Sequence, residues 1–378
     1  MYFDNNGTTF LLPEVRERLQ ELLRDDIGNP AALSTEGRRA NDVVETAREN
    51  IAQLIRCESE QIMFTSSGSE ANVAVIRSAI RSTGRKSVVI SEIEHSSTLS
   101  LCDQLELEGI FVRRVRVTPD GTIDVSDLES AVNSDTAIVS VQMVNNETGI
   151  VQPYKLAAAI AHRSGALYHA DAAQAVGKMP VSLEETGADY MTFTGHKFHG
   201  PQGIGAIASR IGWDNFFALI SGGSQEYGKR GGTHNVISIA GIGAAAEHRY
   251  ATLKASIEHM RTLRDTFESQ LLRSIPDMRI NGNKDLRVCN TSNLQFPGID
   301  GKALYLRLLA AEMGCSQSSA CTAQIPEPSK VLRAMGLTID QAFSSVRFSF
   351  SVMNKLEEIS QATEIISRHF TALRQFAA

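Results

Sequence analysis

Short apolar runs alternate along this chain with longer segments in which apolar residues recur at the spacing of a helix. The apolar runs predict strands at 61–65, 87–91, 111–117, 137–142, 167–170, 190–194 and 204–208. The helical spacing predicts helices at 13–24, 37–55, 71–81, 154–163, 239–272, 302–312 and 356–376. Strands that alternate with helices indicate an α/β fold built on a parallel sheet.

The pattern changes after the long helix at 239–272. From there the chain has the character of an α+β unit, with strands predicted at 286–296 and 345–350. We therefore expect a domain boundary near residue 250. A length of 378 residues agrees with two or three domains of about 150 residues each.

The charge balance and the cysteines narrow the class of protein. With 37 Lys and Arg against 43 Asp and Glu, the net charge is −6, which argues against binding to nucleic acid or to a membrane surface. Apolar stretches such as 156–161 are too short to span a bilayer, and no secretion signal is seen, so we expect a soluble cytoplasmic protein. Five cysteines without a C-x-x-C pair or zinc spacing predict at least one free thiol.

Polar or ionisable residues follow five of the predicted strands directly. Ligands of an open α/β sheet bind outside the carboxyl ends of its strands, so these residues are expected to share one crevice. They are Ser66 to Asn72, Glu94 with His95, Asn145 to Glu147, Asp171 with Gln174, and Thr194 to Lys197.

Each of these features also has a simpler explanation when it is taken alone. Ser67-x-x-Glu70 can be a helix capping box with no ligand, or a phosphate seat at a helix N-terminus. Asp171 can be a helix cap, Lys197 a surface lysine and His95 a core histidine. Together, however, an amine for a Schiff base and a carboxylate for a pyridinium nitrogen suit pyridoxal phosphate.

These motifs taken together resemble the class V pyridoxal-phosphate enzymes, and more closely the cysteine desulfurases of the NifS/IscS kind. The resemblance runs from Asp4 to Ser349, nearly the whole chain. It implies a fold-type I α/β enzyme with a large cofactor-binding domain at 13–250. A smaller α+β domain would combine residues 1–12 with 251–378.

The resemblance also implies a role for each matching residue. Lys197 would form the internal aldimine with the cofactor, Asp171 would pair with its ring nitrogen, and His95 would stack on the ring and move protons. Asn146 and Gln174 would bind its phenolic oxygen. The phosphate would be held by Gly68, Ser69, Thr194 and His196, with Thr233 reaching it from the neighbouring subunit of a homodimer.

Cys321 distinguishes between the chemistries of class V enzymes. A free cysteine is often just a small buried residue, but here its neighbours are small and polar, which favours an accessible loop. The resemblance makes Cys321 the nucleophile that takes sulfur from the substrate as a persulfide, and the spacing to Glu327-Pro328-Ser329 is similar to that of the long-loop NifS/IscS subgroup. Arg347, which could be a surface arginine, would bind the substrate carboxylate as a fork together with Asn146.

The chain departs from the family pattern at several positions. Ser318 stands where glycine is usual, Gln225 where histidine is common, and His199 where tyrosine is common. Phe350-Ser351-Val352 replaces the usual Leu-Gly-Arg, and Cys315 is an additional thiol for which burial is expected rather than a relay role. None of these changes removes a group that the chemistry requires.

The predicted function is therefore conversion of L-cysteine to L-alanine, with sulfur delivered from Cys321 to an acceptor. An iron–sulfur scaffold, a tRNA-thiolation carrier or a DNA-phosphorothioation protein is implied as that acceptor by the resemblance. Two alternatives stay open from the sequence. One is a class V aminotransferase or selenocysteine lyase, and the other is a non-catalytic scaffold, which would be expected to lose Lys197 or Asp171.

Overall fold

A computed structural model of the chain describes residues 1–317 and 327–377. Its strands are β1 (Ile62–Thr65), β2 (Ser87–Ser91), β3 (Phe111–Val115), β4 (Thr136–Ser140), β5 (Leu167–Asp171), β6 (Tyr190–Thr194), β7 (Gly205–Ser209), β8 (Arg279–Ile280), β9 (Thr291–Gln295) and β10 (Ser345–Ser349). Its longer helices are α1 (Pro13–Leu22), α2 (Thr35–Ile55), α3 (Gly68–Thr83), α4 (Ser96–Leu107), α5 (Val125–Ala131), α6 (Tyr154–Arg163), α7 (Leu183–Thr186), α8 (Val236–Ser274), α9 (Gly301–Ala310), α10 (Lys330–Ala334), α11 (Ile339–Phe343) and α12 (Leu356–Ala377).

The larger of the two sheets is mainly parallel, which confirms the predicted α/β class. Its seven strands lie in the order β1-β7-β6-β5-β4-β2-β3. β7 runs antiparallel to both of its neighbours, and the other pairs in this sheet are parallel. Because β7 is reversed, its first residues lie at the same edge of the sheet as the carboxyl ends of β1 and β6. Gly205 is paired with Thr65 of β1 and with Thr194 of β6.

The strands of this sheet are buried, except for β3 at its edge and for Leu167, the half-buried first residue of β5. Near-continuous apolar strands are expected where helices cover both faces of a parallel sheet. Apolar side chains on the two faces form separate clusters, one with α2 and α8 and the other with α3 and α4. The sheet therefore sits in the middle of a three-layer arrangement.

A second, three-stranded sheet has the order β10-β9-β8 and is antiparallel. Its apolar side packs with α9, α12 and the last part of α8, and Phe3 from the N-terminal segment is fully buried in the same cluster. The N-terminal segment then crosses to the larger unit, because Leu12 is packed in the core around α2. Helix α8 passes through residue 250 without a break. The division into 13–250 and 1–12 with 251–378 stays a prediction.

Several observed elements differ from the sequence expectations, and the short elements α5, α7, α10, α11 and β8 were not predicted. The strand predicted at 286–296 is limited to β9 at 291–295, because Arg287 forms a bridge with Ile150, the Val288 carbonyl accepts from Arg264 of α8, and a turn follows at 289–290. Helix α4 was not among the predicted helices, since its serine-rich first turn hides the apolar spacing of Leu101, Cys102 and Leu105.

Candidate active site

The carboxyl ends of the strands in the large sheet border a cavity of about 520 Å³, and Arg347 of the second sheet lines its other side. This volume is typical of small-molecule sites. The cavity is lined by most of the predicted site residues, namely Gly68, Ser69, His95, Asn146, Asp171, Gln174, Thr194, His196, Lys197 and Arg347. The two remaining predicted residues have different outcomes. Thr233 is exposed and is not in the lining of this cavity, and Cys321 lies outside the described residues.

The start of α3 forms the part of the cavity that suits an anion. Ser67 caps this helix, with its Oγ accepting a hydrogen bond from the Glu70 amide at 3.1 Å, but the box is not closed, because the Glu70 carboxylate accepts from the Ser66 amide and not from the Ser67 amide. The first amides of an α-helix lack an acceptor within the helix, and Gly68 and Ser69 supply two of them here. Both interpretations of this motif are therefore compatible, because the cap orders the turn whose amides face the cavity.

Two further contacts fix the backbone of this turn. The Glu70 carboxylate accepts a hydrogen bond from the Ser66 amide at 2.7 Å and forms an ion pair with Arg230 at 3.0 Å. A Cβ atom at Gly205 would lie 2.5 Å from the Ser67 carbonyl carbon and 2.8 Å from the Gly68 nitrogen. Glycine at the start of the reversed β7 thus lets that strand pass directly beneath the turn.

His196 and Thr194 complete the polar wall beside this turn. Thr194 Oγ1 donates to the Ile204 carbonyl at 2.7 Å, and His196 Nδ1 lies 3.1 Å from Thr8 Oγ1. Burial and the nearby charge of Lys197 lower the pKa of His196 to about 4. The ring is therefore neutral at neutral pH, and it offers a hydrogen bond to an anion rather than a full charge.

Asp171 at the end of β5 is held in a fixed orientation. Its Oδ1 accepts from the Ala173 amide at 2.9 Å, and its Oδ2 accepts from Asn72 Nδ2 at 2.9 Å. Asn72 Oδ1 in turn accepts from Thr192 Oγ1 at 2.5 Å. Because this hydrogen-bond chain fixes the carboxylate, Asp171 is poised to face a ring nitrogen in the cavity.

Lys197 follows β6 in a short 3₁₀ turn and reaches the N-terminal segment. Its Nζ donates to the carbonyls of Asn6 and Gly7, each at 2.7 Å. The backbone of that segment is itself attached to β10, because Asp4 forms a bridge with Ser349. The amine is thus oriented by main-chain oxygens from a part of the chain nearly two hundred residues away.

His95 lies on the opposite wall, at the N-cap of α4. Its Nδ1 accepts from the Ser97 amide at 3.2 Å and lies 2.8 Å from Ser97 Oγ. This leaves Nε2 as the ring nitrogen available to a ligand. The pKa of His95 is lowered, chiefly because the surrounding protein removes the ring from water; Asp171 opposes this effect and Lys197 adds to it. The imidazole is therefore neutral at neutral pH, and the residue is exposed and lines the cavity.

Arg347 from β10 provides the cation on the side of the second sheet. Its Nη2 bonds to Asp4 Oδ1 at 2.6 Å and its Nη1 donates to the Asn146 carbonyl at 2.9 Å. Its buried Nε has no partner among the described residues. Ser316 is paired with Arg347 through both main-chain hydrogen bonds, at 2.7 and 3.0 Å, and also lines the cavity.

The arrangement fits pyridoxal phosphate by the chemistry of its donors. An amine, a fixed carboxylate and a neutral imidazole surround a space that opens onto a helix N-terminus suited to phosphate. On the far side, the Nε of Arg347, which has no partner in the described part of the chain, offers a donor for a second anion, such as the carboxylate of an amino acid.

Several residues that build the site were given no role by the sequence. Asn6 and Gly7 hold Lys197 through their carbonyls, and Asn72, which was expected in the crevice without a role, holds Asp171. Gln142 also lines the cavity, with its Nε2 donating to the Ile93 carbonyl. The small polar run that begins at Asp4 was the available signal for Asn6 and Gly7, but main-chain acceptors carry no side-chain signature.

The other thiols do not take part in this site. Cys57, Cys102, Cys289 and Cys315 are free, and Cys315 is buried, as expected. Burial next to Asp4 raises the pKa of Cys315 to about 12, so it behaves as a small apolar residue. Within residues 1–317 and 327–377, no group of His, Cys, Asp and Glu could hold a metal ion. Over the same ranges, no helix has the length and apolar character needed to cross a membrane.

Comparison with known proteins gives a consistent result. The family model for class-V aminotransferases matches residues 1–362. A curated cysteine desulfurase from Trichormus azollae is 39% identical over 375 residues, which cover 99% of this chain and 94% of the relative. A solved NifS-like protein has a TM-score of 0.92 at 32% identity, covering 99% of this chain and all of that one. SspA, solved in complex with cysteine, has a TM-score of 0.83 at 30% identity, with coverage of 93% and 98%.

Matches that cover nearly the whole chain establish the protein family. The chain belongs to the class-V aminotransferases and, among them, to the cysteine desulfurases.

Proposed function

We propose that this protein is a pyridoxal-phosphate-dependent cysteine desulfurase that converts L-cysteine to L-alanine and transfers the sulfur to Cys321 as a persulfide. The observation that carries the proposal is that one cavity brings together Lys197, Asp171 and His95 with an anion seat on one side and Arg347 on the other. Such a cavity offers places for a cofactor phosphate and for an amino-acid carboxylate at once.

The cofactor would be held by residues from the large sheet. Lys197 would bind it covalently, Asp171 would face its ring nitrogen, and Gln174 and Asn146 would face its phenolic oxygen. Gly68, Ser69, Thr194 and His196 would bind its phosphate. When bound, pyridoxal phosphate withdraws electrons from the substrate. This makes the bond between Cβ and the sulfur of the substrate cysteine labile.

The substrate would be oriented by Arg347, whose buried Nε has no partner within 1–317 and 327–377 and whose Nη atoms are held by Asp4 and Asn146. A bidentate contact with the α-carboxylate fixes which bonds of the amino acid face His95. The neutral imidazole can hold or release a proton at Nε2, because Nδ1 is occupied by Ser97.

Cys321 would accept the sulfur. The thiolate of Cys321 attacks the sulfur of the substrate, an S–S bond forms, the C–S bond breaks, and the carbon takes up a proton to give alanine. No external oxidant is required, since the carbon is reduced while the two sulfurs are oxidised. Ser316, five residues before Cys321, lines the cavity, and Ser329 on the other side donates to Glu147 Oε2 at 2.5 Å, next to Asn146. Both flanks of the segment are thus close to the substrate site.

Partners and location complete the proposal. We infer a cytoplasmic homodimer in which Thr233 of each subunit reaches the phosphate in the other. Its exposure in the single chain supports this, since the residue has no place in its own cavity. The persulfide sulfur would pass to a protein acceptor of iron–sulfur assembly, thiolation or DNA phosphorothioation, with an added thiol releasing it as sulfide instead.

The test is to incubate the cofactor-loaded protein with L-cysteine and a thiol reductant and to quantify alanine and sulfide together. Equal amounts over many turnovers are expected. Cys321→Ala should keep the visible band of the bound cofactor and lose sulfide release, whereas Cys57→Ala, in a half-buried thiol outside the cavity, should behave as the native protein. Undiminished turnover in Cys321→Ala would contradict the assigned nucleophile, and a keto acid instead of alanine would indicate transamination.

A further inference from the structure

Lys178 is a fully enclosed amine immediately behind the active-site cavity. Its side chain is buried, yet it does not line the cavity, and no step of the proposed reaction uses it. Its Nζ donates to Asn6 Oδ1 at 3.1 Å and to Gln174 Oε1. Burying an amine is costly unless its hydrogen bonds are satisfied, so these two contacts are what make the position tolerable.

Because a lysine amine in these contacts is a donor, each neighbouring carboxamide must direct its oxygen, and not its nitrogen, toward Lys178. Gln174 must turn its oxygen to Lys178, which leaves its Nε2 facing the other way, where it donates to the Asn6 carbonyl at 3.1 Å. Asn6 is oriented in the same manner, since its Oδ1 accepts from Lys178 and also from Asn290 Nδ2 at 3.1 Å.

The same contacts tie Lys178 to the reactive amine. The Asn6 carbonyl that accepts from Gln174 also accepts from Lys197 Nζ at 2.7 Å. The other charged or titratable groups acting on Lys178 are Cys289, Arg347 and Arg249. Burial, followed by the like charge of Lys197, lowers the pKa of Lys178. An amine in either protonation state has enough hydrogens for both contacts, so the orientation of Gln174 does not depend on its charge.

We propose that Lys178 is a positioning residue that presents the donor face of Gln174 to the phenolic oxygen of the cofactor. The inference rests on the proposed function, in which Gln174 lines the cavity and faces that oxygen. Without Lys178, only the bond from its Nε2 to the Asn6 carbonyl would hold the Gln174 amide, and a rotated amide would present an acceptor to an oxygen that is itself an acceptor.

The consequence is electronic as well as geometric. A donor on the phenolic oxygen withdraws electron density and makes the neighbouring nitrogen of Lys197 easier to deprotonate. Loss of this donor should raise the pH at which the visible absorption of the bound cofactor changes. A rise of about one pH unit is expected for one hydrogen bond to a charged group.

The experiment is a double-mutant cycle on the cofactor-loaded protein, read as the pH midpoint of the visible absorption band. Lys178→Met and Gln174→Leu should each raise the midpoint, and the double variant should show no rise beyond Gln174→Leu alone. Arg249→Met is the matched control, because Arg249 is an equally buried cation that donates to the carbonyl of Gly177, one residue before Lys178. Its midpoint should not move.

Each alternative outcome overturns the inference. An unchanged midpoint in Lys178→Met would show that Lys178 has no effect on the cofactor. A further rise in the double variant would show that Lys178 acts independently of Gln174. An equal rise in Arg249→Met would show that loss of any buried positive charge nearby is sufficient. If Lys178→Met does not fold, a neutron crystal structure of the loaded native protein decides, since a Gln174 oxygen facing the cofactor would contradict the assignment. A native protein that takes up no pyridoxal phosphate would overturn the proposed function, and this inference with it.

Discussion

The two sides of the active-site cavity are built in different ways. On the side of the large sheet, the key groups stand at strand ends: Asp171 closes β5, Lys197 follows β6 by three residues, and the turn before α3 follows β1. On the side of the second sheet, Arg347 lies within β10 and depends on Asp4 and Asn146 from remote parts of the chain. The first side is set by local topology, and the second side exists only once the whole chain has folded.

This difference explains what could be predicted. An apolar run followed by a polar residue is visible in the sequence, so the positions of Asp171, His95 and Lys197 at one edge of the sheet follow from the α/β pattern. Arg347 has no such signal, because an arginine on a strand is ordinary, and its role came only from the family resemblance. The roles of individual residues remain predictions until variants are measured.

Removing Lys197 should have the largest effect, because this residue joins both sides: it projects from the large sheet and is held by the Asn6 and Gly7 carbonyls. Lys197→Ala should lose more than about 1,000-fold in turnover, as is typical when a covalent catalyst is deleted. The visible band of the bound cofactor should also be lost. The measurements are alanine production and the absorption spectrum. Lys155→Ala, at an exposed lysine paired with Glu185, is the control, and substantial activity in Lys197→Ala would refute the assignment.

Changing Arg347 should affect the second side alone. Arg347→Lys keeps the charge but loses the fork, so kcat/KM for cysteine should fall by about 10- to 100-fold, mostly through KM. The cofactor spectrum should stay as in the native protein. Arg287→Lys offers a matched control, because Arg287 is also buried near the second sheet but is paired with Glu268. If Arg347→Lys altered cofactor binding and left KM unchanged, the two sides would not be separable.

The smallest expected effect concerns His199, a buried residue that is held by the N-terminal segment. Its amide donates to Thr9 Oγ1 at 2.7 Å, and its Nδ1 lies 2.8 Å from the Phe10 carbonyl. Burial lowers its pKa to about 4, below the value of about 6.5 in an unfolded chain. The unfolded state therefore binds the proton more readily than the folded state. The contribution of the neutral His199 to the free energy of unfolding is complete above pH 6.5 and is lost as the pH falls toward 4.

At pH 5 this single group should account for a loss of about 2 kcal/mol in the free energy of unfolding. His199→Tyr, which restores the residue common in the family, should reduce the fall in stability between pH 7 and pH 5 by that amount. The measurement is denaturant unfolding of the cofactor-free protein at both pH values. His259→Tyr, at an exposed histidine of α8 outside the cavity, is the control; an identical fall in His199→Tyr and the native chain would show that His199 does not carry this dependence.

Helix α8 has a consequence for how the molecule comes apart. Its 39 residues bury Ile239 and Ile242 in the core around α2, and Leu263, Phe267 and Leu271 in the core of the second sheet. Melting either core would expose one half of a continuous helix whose other half is still packed, and a helix propagates order along its length more readily than it starts anew. The two cores are thereby thermodynamically coupled, so their loss is expected as one cooperative event rather than as two independent steps.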